Sequence, residues 1–211
     1  MRRSRIRNAA CRFLAPLLLL AACGLAAASD ANAPRQYLDE QTGATVFFVS
    51  RPLVFAHERP GYGSDVPLSG PVPPNMSGAP RDYLTLAAAA VDRAGKYTYV
   101  LIGYFWSVGA PAQGENACLG REHLVLQLGD RRIELTPFQG SARDAGISKP
   151  IHQPSTEAKP AVYSSDLATL GLIAESAHPT VYCGAEAAQL KYELLEDRLP
   201  SLRELVRHLS N

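Results

Sequence analysis

The longest patterned stretch of the chain is residues 82–108, DYLTLAAAAVDRAGKYTYVLIGYFWSV. Two β-rich runs flank Asp92-Arg93-Ala94-Gly95, which has turn chemistry and a closing glycine, so the pattern predicts a long hairpin. In its second arm Val100, Ile102, Tyr104 and Trp106 alternate onto one face, and Tyr99, Leu101 and Phe105 onto the other. Apolar residues on both faces predict a central strand covered on two sides, with Trp106 in the core. The aromatics could instead form a stacking platform for sugars or bases, but such a platform needs one exposed face.

A second hairpin is predicted over residues 122–135, EHLVLQLGDRRIEL, with Gly129-Asp130 in a two-residue turn. ATVFFVS (44–50) and PLVFAH (52–57) read as strands, and Pro52 predicts an edge, a bulge or a strand start between them. AVYS (161–164) reads as a short strand, and PTVYCG and AQLKYELL as a pair. Residues 166–175 predict a short helix that Gly171 weakens by about 1 kcal/mol relative to alanine. Residues 201–210 predict a terminal helix. Leu202, Leu205, Val206 and Leu209 have helical spacing, and Ser201-x-x-Glu204 reads as a capping box. The fold class expected is mainly β or α+β: an antiparallel, sandwich-like sheet with two short helices, one of them C-terminal.

Two stretches break the pattern. Residues 59–80 hold six prolines and four glycines, and residues 136–160 hold four prolines. No regular element is expected in either. Because the strands look committed to a core, these loops are expected to carry recognition.

The N-terminus has a different pattern. Arg2, Arg3, Arg5, Arg7 and Arg12 precede an apolar run from Phe13 to Ala22, and no acid occurs before Asp30. A basic region followed by a short apolar region predicts a secretory signal. The run ends in Leu20-Ala21-Ala22-Cys23-Gly24. That pattern resembles the lipobox of bacterial lipoprotein precursors. The resemblance implies removal of residues 1–22 and acylation of Cys23, the fatty chains being of the palmitate class. It also implies a protein held on a membrane by its N-terminal lipid, with Gly24 resembling the class sorted to the outer membrane and facing the periplasm. An A-x-A cut at Ala26-Ala27-Ala28, releasing a soluble protein, is the alternative. Residues 23–36 would then be a flexible tether and residues 37–211 a single globular β-rich domain.

The leader also explains the charge. The whole chain has 21 Lys+Arg and 20 Asp+Glu, but five of the cations precede residue 23, leaving 16 against 20. A net-acidic body without a basic cluster argues against nucleic acid as a partner and leaves the membrane and an envelope protein. Cys11 leaves with the leader. Cys118 and Cys183, in an oxidising compartment, read as one disulfide, with two buried thiols as the alternative. No C-x-x-C is present, so they do not read as a metal pair.

No motif names a reaction. His57, His123, His152, His178 and His208 are scattered, and neither H-E-x-x-H nor G-x-S-x-G occurs. Asp39-Glu40 and Glu196-Asp197 lie at element ends, where solvation is the ordinary expectation. No catalytic residue, metal ligand or cofactor is therefore expected. The reading is a non-catalytic, lipid-anchored envelope lipoprotein that binds a partner or serves as a structural accessory. Its rivals are an envelope hydrolase or lyase with a site of scattered residues, and a carrier of lipid or a small ligand.

Overall fold

The computed structural model describes residues 30–58, 81–108, 118, 123–156, 158–184 and 189–211. The leader, Cys23 and residues 59–80 lie outside them. The compact unit runs from Ala31 to Asn211. Within it Ser50 Oγ donates to the Ala31 carbonyl, and β1 begins at Arg35.

In chain order the strands are β1 (Arg35–Asp39), β2 (Ala44–Phe48), β3 (Leu53–Glu58), β4 (Arg81–Arg93), β5 (Lys96–Val108), β6 (Leu124–Leu128), β7 (Arg131–Pro137) and β8 (Lys159–Ser165). Helix α1 (Leu167–Glu175), β9 (Thr180–Cys183), β10 (Leu190–Glu196) and α2 (Leu199–Leu209) follow. The described residues are thus mainly β with two helices, one of them C-terminal. All the strand pairings are antiparallel.

The strands do not form two stacked sheets. β4 pairs with β3 on one edge and β5 on the other, and the path β3-β10-β9-β6-β7-β8-β5 returns to it, closing an eight-stranded ring. The sandwich-like expectation gives way to a barrel, because closure removes the edges that a sandwich must protect. The β1–β2 hairpin lies outside the ring. β2 pairs with the second half of β4 (Thr45↔Asp92 to Phe48↔Ala89), while β3 pairs with the first half (Leu53↔Leu86 to Glu58↔Arg81). The break between β2 and β3 falls at Pro52, which has no ladder donor to offer.

The turns follow their residues. Ala94 and Gly95 both take positive φ (55° and 83°), which a two-residue I′ hairpin requires. Gly129 alone is positive (60°) in the β6–β7 turn, the II′ pattern. Inside the ring Phe55, Leu84, Leu101, Leu126, Tyr163 and Tyr192 are fully buried. Gly103 makes room for them: a Cβ there would meet Leu84 Cδ1 at 3.3 Å and Tyr163 Cε2 at 3.5 Å. Ile173 of α1 and Leu202 of α2 close one end over Leu53, Leu86 and Leu101, around a residual space of about 10 Å³, about one water. Arg203 Nε ties the helices together by donating to the Ala174 carbonyl at 2.8 Å.

The helix starts show what each cap residue does. Asp166 caps α1, its Oδ1 accepting from Thr169 N at 2.6 Å. Ser201 does not cap α2. The helix starts at Leu199, with Asp197 Oδ1 accepting from Leu199 N at 3.0 Å. Pro200, whose fixed φ suits a first turn, draws the start upstream. Ser201 is buried inside the helix and donates to Ser50 Oγ at 2.6 Å, since the single Ser50 proton is already given to Ala31. Glu204 instead pairs with Arg207.

Cys118 and Cys183 form a disulfide with Cα atoms 6.0 Å apart, fastening residue 118 to β9. The central strand expectation holds, because Val100, Ile102 and Tyr104 are as buried as Leu101 and Phe105. Trp106 is the exception. It is half-buried on the outer wall, stacked on Tyr83 with ring centroids 4.3 Å apart and its Nε1 donating to Thr85 Oγ1.

Candidate functional site

The outer face of β4 and β5 is apolar: Ala87, Ala89, Val91, Val100, Ile102 and Tyr104 are all buried. Residues 138–156, irregular as their composition predicts, and Ala158 cover it. Ala145, Ile147, Ile151 and Ala158 are buried against the sheet. This stretch is a strap packed across the barrel wall. A segment that buries four apolar side chains gains more by packing than by remaining a solvated excursion.

Asp39 pins the strap to the β1–β2 hairpin. Its carboxylate accepts Ser148 N–H (2.7 Å) and Ser148 O–H (2.8 Å) from the strap, and Gln41 N–H (3.1 Å) and Thr42 N–H (3.2 Å) from the hairpin turn. Thr42 Oγ1 then donates to the Gly146 carbonyl at 2.9 Å. Asp39 has no accessible surface, although its cover is thin. Burial pushes its carboxyl up, but the Ser148 and turn donors outweigh that and hold it below the usual carboxylate value. Sequence reading placed Asp39 at a solvated element end. The signal it missed was Asx-turn chemistry in Asp39-Glu40-Gln41-Thr42-Gly43.

Two further contacts fix the strap. Gly146, at φ 103°, lies so close to the sheet that a Cβ would sit 2.6 Å from Val91 Cγ1. His152, at φ 55°, donates from Nε2 to the Val49 carbonyl at 2.7 Å and sets its ring edge against Phe48. Burial, with Arg35 adding to it, lowers the His152 pKa against the opposing pull of the Val49 carbonyl, so the ring is neutral at pH 7. Beside it, the Tyr37 hydroxyl is pushed up to about 12 by burial and by the Asp39 charge, and Lys149 lies 5.7 Å over the Tyr37 ring.

Between strap and barrel wall a groove of about 340 Å³ remains, at the small end of ligand-pocket sizes. Ile102, Tyr104, Ala142, Ile147, Pro150 and Pro160 give it apolar walls. Its neutral polar residues are already engaged. Ser141 donates to Asp144, Ser148 to Asp39, and Gln153 Nε2 to the Ala158 carbonyl at 2.9 Å. Arg143 and Lys149 complete the lining, both exposed, and neither forms an ion pair among the described residues.

A second cleft of about 370 Å³ lies over β3 and β10, lined by His57, Arg81, Lys191 and Glu193. Lys191 and Glu193 pair at 2.6 Å and cancel each other, and His57 Nδ1 is spent on the Lys191 carbonyl. The histidines do not converge. His123 sits exposed beside Glu134 and His208 lies against Phe47. Among the described residues no group of three or more His, Cys, Asp or Glu could hold a metal ion.

Comparison with known proteins gives no match to any family model, any curated protein or any solved structure.

Proposed function

We propose that this protein is a non-catalytic binding module of the cell envelope, held on the membrane by a lipid on Cys23, with the strap groove as its binding surface. One observation carries the reading: the groove is largely apolar, its neutral polar residues already make hydrogen bonds, and two cations stand at its rim with no ion pair among the described residues. Such a surface is prepared to bind, because little of it must reorganise. The same bonding argues against catalysis there. Ser141 and Ser148 donate to carboxylates that hold the strap in place, and no histidine stands beside either as a base. The filled interior turns attention to the outer wall, since an eight-stranded ring is just wide enough for side chains to fill.

The anchor follows from Leu20-Ala21-Ala22-Cys23. Two buried acyl chains, at about 0.8 kcal/mol per methylene, make attachment stable where one is marginal. Outer-membrane placement facing the periplasm follows from Gly24. Cys23→Ala should abolish incorporation of labelled fatty acid, and a soluble wild-type protein beginning at Ser29 would overturn the anchor.

The binding reading is tested by native mass spectrometry of the protein extracted from envelopes, as wild type and as the groove-filling variant Ala142→Trp. A bound species present on the wild type and absent from the folded variant is expected. Identical spectra for the two, together with cleavage of envelope material by the pure protein, would replace this reading with the hydrolase.

A further inference from the structure

We infer that the strap groove takes a single-chain anionic amphiphile, a fatty carboxylate, with its chain on the apolar walls and its head between Arg143 and Lys149. This rests on the reading of the groove as the binding surface. Three observations select the ligand class.

The first is charge. Arg143 and Lys149 lie six residues apart on one strap and both line the groove, while Asp39 and Asp144 lie outside its lining. Asp39 accepts four hydrogen bonds and Asp144 holds both the N–H and the hydroxyl of Ser141. Both carboxylates keep their negative charge, but neither lines the groove, whose two charged lining residues are cations. An Arg and a Lys together favour a carboxylate or phosphate oxygen.

The second is the state of the polar lining. A peptide laid in the groove would bring backbone N–H and C=O groups out of water, and each needs a partner. Ser141 and Ser148 have given their hydroxyl protons and Gln153 one of its two amide N–H groups, so the neutral lining has few donors left for a peptide backbone. An acyl chain brings no such groups, so Ile102, Ile147 and the two prolines can cover it without leaving a polar atom unpaired.

The third is size. A space of about 340 Å³ suits one chain rather than the two of a membrane phospholipid, and the same limit disfavours a bulky head. A free fatty carboxylate meets all three conditions.

The test uses the full chain carrying Cys23→Ala, so that no attached lipid competes, with its isoleucine methyls labelled for NMR. Ile102 and Ile147 line the groove, whereas Ile173 lies at the helix plug of the barrel. Decanoate, added below its aggregation concentration, should shift Ile102 and Ile147 saturably and leave Ile173 in place. Decyltrimethylammonium, equal in tail and opposite in head charge, should bind at least tenfold more weakly. Arg143→Ala with Lys149→Ala should weaken decanoate tenfold or more, and Ala142→Trp should abolish the shifts with Ile173 unmoved. The inference is overturned if decanoate gives no saturable shift at Ile102 and Ile147, if the two head groups bind alike, or if Ile173 responds first. It is also overturned if a blocked acidic peptide saturates the groove methyls where decanoate does not. A negative result here with a groove-dependent adduct in the envelope extract defeats only the ligand class. Negative results in both defeat the groove itself.

Discussion

Asp39 and Ser148, 109 residues apart in sequence, are joined by two hydrogen bonds, one from the Ser148 backbone and one from its hydroxyl, to the two oxygens of one carboxylate. That pair turns an irregular segment into a wall of the barrel and thereby forms the groove. Asp39→Ala would strand the Ser148 and Thr42 donors and should lower stability by about 1–3 kcal/mol. Asp39→Asn keeps the shape and part of the acceptor capacity and should cost less. Urea denaturation of the three proteins checks both statements, and an Asp39→Ala loss below about 0.5 kcal/mol would contradict the pinning role.

The same contacts set a pH dependence with two windows. His152 has a folded pKa below its usual 6.5, so the unfolded chain takes its proton first. Its contribution is complete above pH 6.5 and is lost as pH falls from there towards the folded value. Asp39 is likewise depressed, from 3.8, so its contribution is present above 3.8 and lost only as pH falls through its lower folded value. Stability should therefore decline first in mild acid and again in strong acid. His152→Gln, whose amide can still donate to the Val49 carbonyl, should remove the first decline and keep the second. A denaturation midpoint measured from pH 8 to pH 2.5 on both proteins would reveal it, and an unchanged profile in His152→Gln would contradict the assignment.

Two glycines should respond in opposite directions. Gly146 combines φ 103° with a Cβ position 2.6 Å from Val91 Cγ1, so Gly146→Ala adds backbone strain to a steric overlap and should cost about 2–4 kcal/mol. Gly171 lies inside α1 with nothing within 4 Å of its Cβ position, so Gly171→Ala should stabilise by about 0.5–1 kcal/mol. Thermal melts of the two variants should move in opposite directions, and a shared sign would count against the strap geometry.

The Cys118–Cys183 bridge closes a segment of sequence separation 65 and should contribute up to about 4 kcal/mol by restricting the unfolded chain. Reduction should lower the urea midpoint of the wild type and leave Cys118→Ser/Cys183→Ser unaffected. Two titratable thiols in the unreduced, unfolded protein would show that the bridge does not form.

Local chemistry was legible in the sequence. The 82–108 hairpin, the Gly129-Asp130 turn, the 166–175 helix and the paired last strands follow from periodicity and turn residues a few positions apart. Ring closure was not legible, because it depends on the β7–β8 and β3–β10 pairings, which no local pattern encodes. Nor was the strap. Ala145, Ile147 and Ile151 are too few and too widely mixed with polar residues to read as a buried face, and their partner surface lies on another strand pair. Trp106 was misplaced because alternation assigns a face and cannot tell how far along the strand the cover extends. Of the groove, Arg143 and Lys149 stand out in the sequence as charges in a loop, but their place beside Ile102 and Tyr104 appears only in three dimensions.

The account turns on the strap being a folded wall, since without it the groove has one side. Native-state hydrogen exchange measures this directly. The amides of Ala145, Gly146, Ile147 and Ser148 donate to Ser141, Arg143 and Ala142 carbonyls and to Asp39, in that order. In the wild type they should exchange at least ~1,000-fold more slowly than in a free peptide. In Asp39→Ala that protection should fall while the Leu101 and Tyr163 amides of the barrel keep theirs. Exchange of the four strap amides at the free-peptide rate in the wild type would contradict the account, because the segment would then be a loop with no groove beneath it.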